Sequence, residues 1–149
     1  MKEDDFIVSK TDTKGIIHYG NRIFVANHNL IRHPFMPQVA FKLAWQLIAD
    51  NKEFFGFVKN LCKDGSYYWV FTYITADKDK KGNIIGYTSV RRKPSSSGVE
   101  DIIPIYKLLN DAEVKGGMAA SEKLLTEYLK DNKTTYEKFV HELQTGVIA

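Results

Sequence analysis

Three runs rich in β-branched and aromatic residues, joined by short turns, constrain the fold of this chain most strongly. They cover residues 54–62, 67–76 and 84–92. The first turn contains Asp64-Gly65, which is a strong hairpin signal, and the second is a charged segment with a glycine. Because such connections join neighbouring antiparallel strands, the sequence predicts three consecutive strands of one antiparallel sheet.

The N-terminal part predicts two further strands and an amphipathic helix. Residues 6–11 and 16–19 are strand-like and are joined by a turn that ends in glycine. Pro37 favours a helix start, and residues 38–49 carry apolar side chains at helical spacing. A short helix is also predicted over 22–26. Together these elements predict an α+β fold, with a five-stranded antiparallel sheet, helices on one face and additional C-terminal helices.

A stretch of proline, serines and glycine divides the chain into two regions. The predicted sheet domain covers residues 6–93, the flexible linker 94–98 and the C-terminal helical extension 99–149. The helix candidates of the extension are 99–114, 118–132 and 134–144. Thr134, with Glu137 three residues later, is expected to cap the last helix.

An apolar stripe at helical spacing runs along the first helix of the extension. Its members are Ile102, Ile105, Leu108, Leu109 and Ala112. Stripes of this kind are usually core, and a partner surface is the alternative. A two-fold homodimer would bury such a stripe in both copies, and the sequence therefore also predicts a homodimer.

A dense polar cluster precedes the helix over 38–49. Asn27, His28, Asn29, Arg32 and His33 fall within seven residues, and two prolines follow at once. Such a cluster at the mouth of an amphipathic helix is suited to holding the polar edge of a ligand. A surface loop that leads into a helix explains it equally well, so both interpretations stay open here.

Composition and charge exclude several functions. The formal net charge is only +3 and no long Lys/Arg block occurs, so nucleic-acid binding is not expected. Cys62 is the single cysteine, which fits a reducing compartment, and no apolar run is long enough to cross a membrane. His28 and His33 have no cysteine or carboxylate close by, and no catalytic motif is present. We therefore expect a cytoplasmic protein that is not an enzyme and holds no metal.

The order of these elements, together with several motifs, resembles the PAS domain of bacterial aerotaxis and energy-taxis receptors. The matching motifs are Asn-His-Asn-Leu-Ile-Arg-His-Pro at 27–34, Gly-Phe-Val-Lys-Asn at 56–60, Lys-Asp-Gly at 63–65 and Gly-Tyr-Thr-Ser-Val-Arg at 86–91. The resemblance implies non-covalent binding of FAD and reporting of its redox state to the chemotaxis machinery. It further implies a stand-alone PAS protein that signals through a separate membrane-bound transducer.

The resemblance also implies a set of flavin-site residues. They are Asn21, Arg32, His33, Phe41, Trp45 and Asn60. Their chemistry suits a flavin, because an amide can pair with the pyrimidine edge, aromatic rings can wall the isoalloxazine and a guanidinium can hold phosphate. This chain departs from the family pattern in having Phe35 where an aspartate is usual. It also has only Val25-Ala26 between Phe24 and the polar cluster, where the family has a helical segment.

Two other functions remain as alternatives to flavin sensing. The first is a ligand-free PAS module that serves protein interaction or dimerisation. The second is a haem-binding PAS domain with His28 or His33 as the axial ligand, although polar residues and prolines surround both.

Overall fold

The computed structural model describes residues 5–22, 31–62 and 64–147, and it describes only the backbone of Ile31 and Arg32. Its elements, in chain order, are β1 (Ile7–Asp12), β2 (Ile17–Gly20), β3 (Ile31–Arg32), α1 (Gln38–Ala49), β4 (Phe54–Leu61), β5 (Tyr67–Lys78), β6 (Ile84–Arg92), α2 (Ser96–Asp131) and α3 (Tyr136–Thr145). The predicted helix over 22–26 lies, from Ile23 onward, outside the described residues. So do Asn27, His28 and Asn29 of the polar cluster.

One antiparallel sheet forms the centre of the fold, with strand order β2-β1-β6-β5-β4-β3. The predicted fold class is confirmed, because all five predicted strands are present and pair in an antiparallel manner. The two-residue strand β3 extends the sheet beyond β4, which the sequence did not predict. Helix α1 covers the predicted residues, and Pro37 occupies its N-cap position instead of its first turn.

The sheet has two faces that carry different side chains. Residues directly opposite each other on antiparallel strands share a face, and successive residues of one strand alternate between faces. Asn60 on β4 lies opposite Tyr68 on β5, and Thr72 on β5 lies opposite Arg91 on β6. We call the face that carries these four residues the inner face, and the opposite one the outer face.

Helices cover both faces. Trp45 of α1 lies against Tyr87, which shares the inner face with Arg91, at 5.2 Å between ring centroids. Tyr106 of α2 lies over the outer face, 6.2 Å from the ring of Trp69. The C-terminal helices therefore complete the core of the sheet.

The prediction of a flexible linker over residues 94–98 is wrong from Ser96 onward, because α2 begins at that residue. Ser95 is the N-cap: its Oγ accepts a hydrogen bond from Gly98 N at 3.1 Å and donates one to Leu143 O at 2.9 Å. A polar side chain at this position satisfies a free N–H of the first turn and favours helix over loop. The first two predicted helices form the single element α2, interrupted at Gly117 with φ of 71°.

The capping residue of α3 also differs from the sequence prediction. Thr135, not Thr134, occupies the N-cap position, and its Oγ1 accepts a hydrogen bond from Lys138 N at 3.3 Å. Two adjacent threonines make the cap position ambiguous by one residue, because either hydroxyl could in principle reach an N–H of the first turn.

The apolar stripe of α2 packs within the chain. Ile102 and Leu109 are buried, Ile105 is partly buried and packs on the core, and Leu108 is 57% exposed. The sequence placed the stripe on a helix but could not show that the sheet of the same chain covers it. Most of the stripe is therefore engaged within the chain, and the predicted homodimer stays a prediction.

Candidate functional site

A row of polar side chains on the inner face is the strongest candidate for a ligand site. Asn60 is 7% exposed, and alternating strand residues place Tyr68, Thr72 and Ser89 on the same face. The hydroxyls of Thr72 and Ser89 are buried and have no hydrogen-bond partner among the described residues. Burial of such groups is unfavourable unless they are satisfied, so this face is chemically suited to a polar ligand.

A cation accompanies these hydroxyls. Arg91 of β6 donates from Nη1 to Ser9 Oγ at 3.3 Å, which orients the guanidinium along the inner face. Burial lowers the pKa of Arg91, while the nearby phenol of Tyr68 opposes that shift, and an arginine stays charged at neutral pH in any case. The site therefore offers a fixed positive charge next to neutral donors and acceptors.

Tyr68 lies near the beginning of β5, opposite Asn60, at one end of this polar row. Its hydroxyl is buried near Asn60 and Arg91 but completes no hydrogen bond within the part of the chain that the structure describes. Burial raises the pKa of Tyr68, and the positive charge of Arg91 opposes the rise. The phenol is therefore neutral at physiological pH and can donate one hydrogen bond to a ligand.

Helix α1 supplies an aromatic wall opposite the polar row. Phe41 and Trp45 are four residues apart and so share one face of the helix. Phe41 is partly buried against the core, whereas Trp45 remains 53% exposed beside Tyr87. This helix therefore combines one ring that is fixed by packing with a second ring whose surface is accessible to a ligand.

Asn21 has a structural role in the N-terminal strands. Its Nδ2 donates to Phe6 O at 2.7 Å, and its Oδ1 accepts from Val8 N at 3.2 Å. These two bonds tie the residue after β2 to the beginning of β1, at the far edge of the sheet from Asn60. Its proposed contact with a flavin stays a prediction.

His33 belongs to a separate cluster on the outer side of β4. Its Nδ1 accepts a hydrogen bond from Phe35 N at 3.1 Å, and its ring lies edge-on to Tyr67 at 5.8 Å. Lys59 places its Nζ 3.7 Å from the Tyr67 ring centroid, a cation–π contact. Burial lowers the pKa of His33, and the charge of Lys59 lowers it further, which keeps the imidazole neutral and able to accept.

The structure brings only part of the predicted site together. Asn60 lies in the polar row and Trp45 on the facing helix, whereas His33 and Asn21 lie elsewhere. The backbone of Arg32 pairs with Asn60 across β3 and β4, so this position adjoins the row.

Comparison with known proteins identifies the family. The PAS fold profile matches residues 19–91. The aerotaxis receptor of Escherichia coli (strain K12) is 31% identical over 122 aligned residues. The chain contains a PAS domain of the aerotaxis type. The alignment covers 74% of this chain but only 24% of the receptor, so the PAS protein described here spans about a quarter of that relative.

Solved structures share the PAS fold at low sequence identity. A light-oxygen-voltage domain studied with a flavin analogue has a TM-score of 0.54 and 21% identity, covering 66% of this chain and 83% of that one. The dark structure of the blue-light photoreceptor Aureochrome1 LOV has a TM-score of 0.52 and 20% identity, with coverage of 73% and 86%. These likenesses concern the fold of the PAS domain.

Sequence reasoning missed several residues of the polar row. They are Tyr68, Thr72, Ser89 and Arg91. The signal that could have found them is a polar residue at alternate positions of runs that otherwise consist of aromatic or β-branched core residues.

Within residues 5–22, 31–62 and 64–147 there is no cluster of three metal-ligating side chains, and no helix there is long and apolar enough to cross a membrane.

Proposed function

We propose that this PAS domain binds FAD between the inner face of its sheet and α1, and that it is a sensor of cellular redox state. The observation that carries the proposal is the pair of buried hydroxyls on Thr72 and Ser89, which have no partner among the described residues, beside the cation of Arg91. A flavin has a polar pyrimidine edge rich in carbonyl oxygens and N–H groups. The residues of the inner face fit such a partner.

Each residue of the site has a distinct task in this proposal. Asn60 can donate and accept with one amide, which matches an edge that alternates donors and acceptors. Tyr68 and Arg91 supply donors to carbonyl oxygens, and the guanidinium favours additional negative charge on the ring. Trp45 shields the ring from water. A bound flavin would supply reversible electron transfer with coupled changes in protonation.

The relatives support a sensory role and suggest the output. The matched relative is named as an aerotaxis receptor, and the structural neighbours include flavin-associated light-oxygen-voltage domains. We therefore propose that this protein acts without enzymatic activity, in the cytoplasm, and signals to a membrane-bound chemotaxis transducer.

The visible absorption spectrum of the purified protein, before and after reconstitution with FAD, tests the proposal. We expect the absorption bands of oxidised flavin to remain with the protein after gel filtration and to bleach on reduction. Hemin serves as the control ligand, because it tests the haem-binding alternative in the same assay. A protein that remains colourless after incubation with FAD would refute flavin sensing.

A ligand-free interaction module is the second candidate. It is favoured by the structural roles of Asn21 and His33, whose polar groups hold the N-terminal strands and the loop before α1. In that case the PAS domain would signal through association with another protein. Absence of any bound chromophore, combined with a stable folded state, is the result that distinguishes it from the flavin sensor.

A further inference from the structure

Helix α1 begins without a capping side chain of its own. Pro37 occupies the N-cap position and cannot accept a hydrogen bond with its side chain, and the first turn contains no acidic residue. Instead, Glu113 of α2 accepts from Val39 N through Oε1 at 3.0 Å, from a position 74 residues later in the chain. A carboxylate at this place satisfies a free N–H and interacts favourably with the helix dipole. The C-terminal helix therefore caps α1.

A second bond from the same face of α2 holds the loop before α1. Asn110, three residues before Glu113, donates from Nδ2 to Phe35 O. Phe35 N in turn donates to His33 Nδ1. The segment between Phe35 and Val39 is thus held by α2 at both of its ends, and α1 is positioned by a helix that follows the sheet domain.

The helix break lies directly beyond this contact. Gly117, four residues after Glu113, has φ of 71° and a non-helical conformation. Past the break, Glu122 forms an ion pair with Lys42 of α1 at 2.5 Å. Both halves of α2 therefore contact α1, and Gly117 separates the two contacts.

We propose that Asn110 and Glu113 are positioning residues that couple ligand occupancy of the inner face to docking of the C-terminal helices. The inference rests on the proposed flavin site, because α1 carries the aromatic wall of that site. A ligand that stabilises the present position of α1 also stabilises the contact between Glu113 and α1. Because linkage is reciprocal, docking of α2 raises the affinity for the ligand by the same factor. The pair is thus an output contact of the sensor.

Hydrogen–deuterium exchange on the full chain, with and without FAD, tests the coupling in four proteins. They are the wild type, Glu113→Ala, Glu113→Gln and, as a matched control from the exposed side of the same helix, Asp111→Ala. In the ligand-free state, we expect Glu113→Ala to speed exchange at the beginning of α1 roughly fivefold, the typical effect of a lost N-cap. Glu113→Gln keeps an acceptor oxygen, so it should lie between wild type and alanine.

The FAD-dependent part of the experiment separates coupling from a merely structural role. FAD should slow exchange in α2 between Ile102 and Asn110 in the wild type and in Asp111→Ala, and this effect should be lost in Glu113→Ala. If the wild type binds FAD but the protection of α2 persists in Glu113→Ala, the coupling is refuted while the flavin site stands. If the wild type binds no FAD, the proposed function itself is refuted and the coupling with it.

Discussion

Replacing Arg91 by alanine should weaken FAD binding by roughly 10- to 100-fold, the expected effect of losing one charge-assisted hydrogen bond of about 1.5–3 kcal/mol. The guanidinium lies on the inner face, where it donates to Ser9 and adjoins Tyr68. Arg91→Lys should recover only part of the affinity, because an ammonium retains the charge but lacks the planar fork of donors. Calorimetric titration with FAD measures all three proteins.

Arg92 provides a matched control for this prediction. It is the next residue on β6, but its guanidinium lies over Phe71 on the outer face, 5.3 Å from the ring centroid. Arg92→Ala removes the same charge from the same strand and should leave FAD affinity within about twofold of wild type, as expected for an exposed group outside the site. Equal losses for Arg91→Ala and Arg92→Ala would indicate a nonspecific charge effect and contradict the assignment of the inner face.

Phe57→Ala should lower the free energy of unfolding by about 3–5 kcal/mol. Phe57 is fully buried, its ring lies 5.1 Å from that of Phe71, and its carbonyl accepts from Tyr106 Oη at 2.8 Å. Gly98 of α2 approaches so closely that a Cβ there would lie 2.7 Å from Phe57 Cζ. Truncation would therefore leave a cavity between the sheet and the C-terminal helices, which the closely packed backbone of α2 cannot fill by a small shift.

Urea denaturation followed by circular dichroism measures this loss. Ile85→Ala is the control, because this side chain is 56% exposed on β6 of the same sheet and its truncation should change stability by no more than about 0.5 kcal/mol. A single transition is expected for both variants, since sheet and helices share one core. Two separate transitions, with Phe57→Ala affecting only one, would contradict the shared core.

The parts of the fold that depend on local chemistry could be predicted from the sequence. The Asp64-Gly65 turn and the alternating runs beside it defined β4 and β5, and the helical spacing after Pro37 defined α1. These features succeed because turn geometry and side-chain periodicity act over a few residues. The C-terminal helical regions were recognised for the same reason, and the predicted boundary between the first two coincides with the interruption of α2 at Gly117.

The features that depend on tertiary contacts could not be predicted in the same way. The stripe on α2 looked free because nothing in the local sequence shows that Ile102 and Leu109 are covered by the sheet of the same chain. The hydrogen bond by which Glu113 caps α1 at Val39 could not be predicted either, because the two residues are 74 positions apart in the sequence. Local periodicity gives the face of an element but not what packs against it.

The candidate site was predicted only in part for a similar reason. Asn60 and Trp45 were identified through the family resemblance, and they do lie on the sheet and the helix that face each other. Thr72 and Ser89 were overlooked because single hydroxyls within β-rich runs are common and carry no motif. Their significance appears only when the strand register places them together on one buried face.

The affinity for FAD of a Thr72→Val, Ser89→Ala double variant tests the central claim most directly. Both substitutions keep side-chain shape closely and remove buried hydroxyls that have no partner among the described residues, so stability without ligand should be unchanged or higher. If these hydroxyls hold the flavin, the same variant should bind FAD roughly tenfold more weakly than wild type, as two neutral hydrogen bonds are lost. A double variant that binds FAD as tightly as wild type would contradict a flavin on the inner face of this sheet.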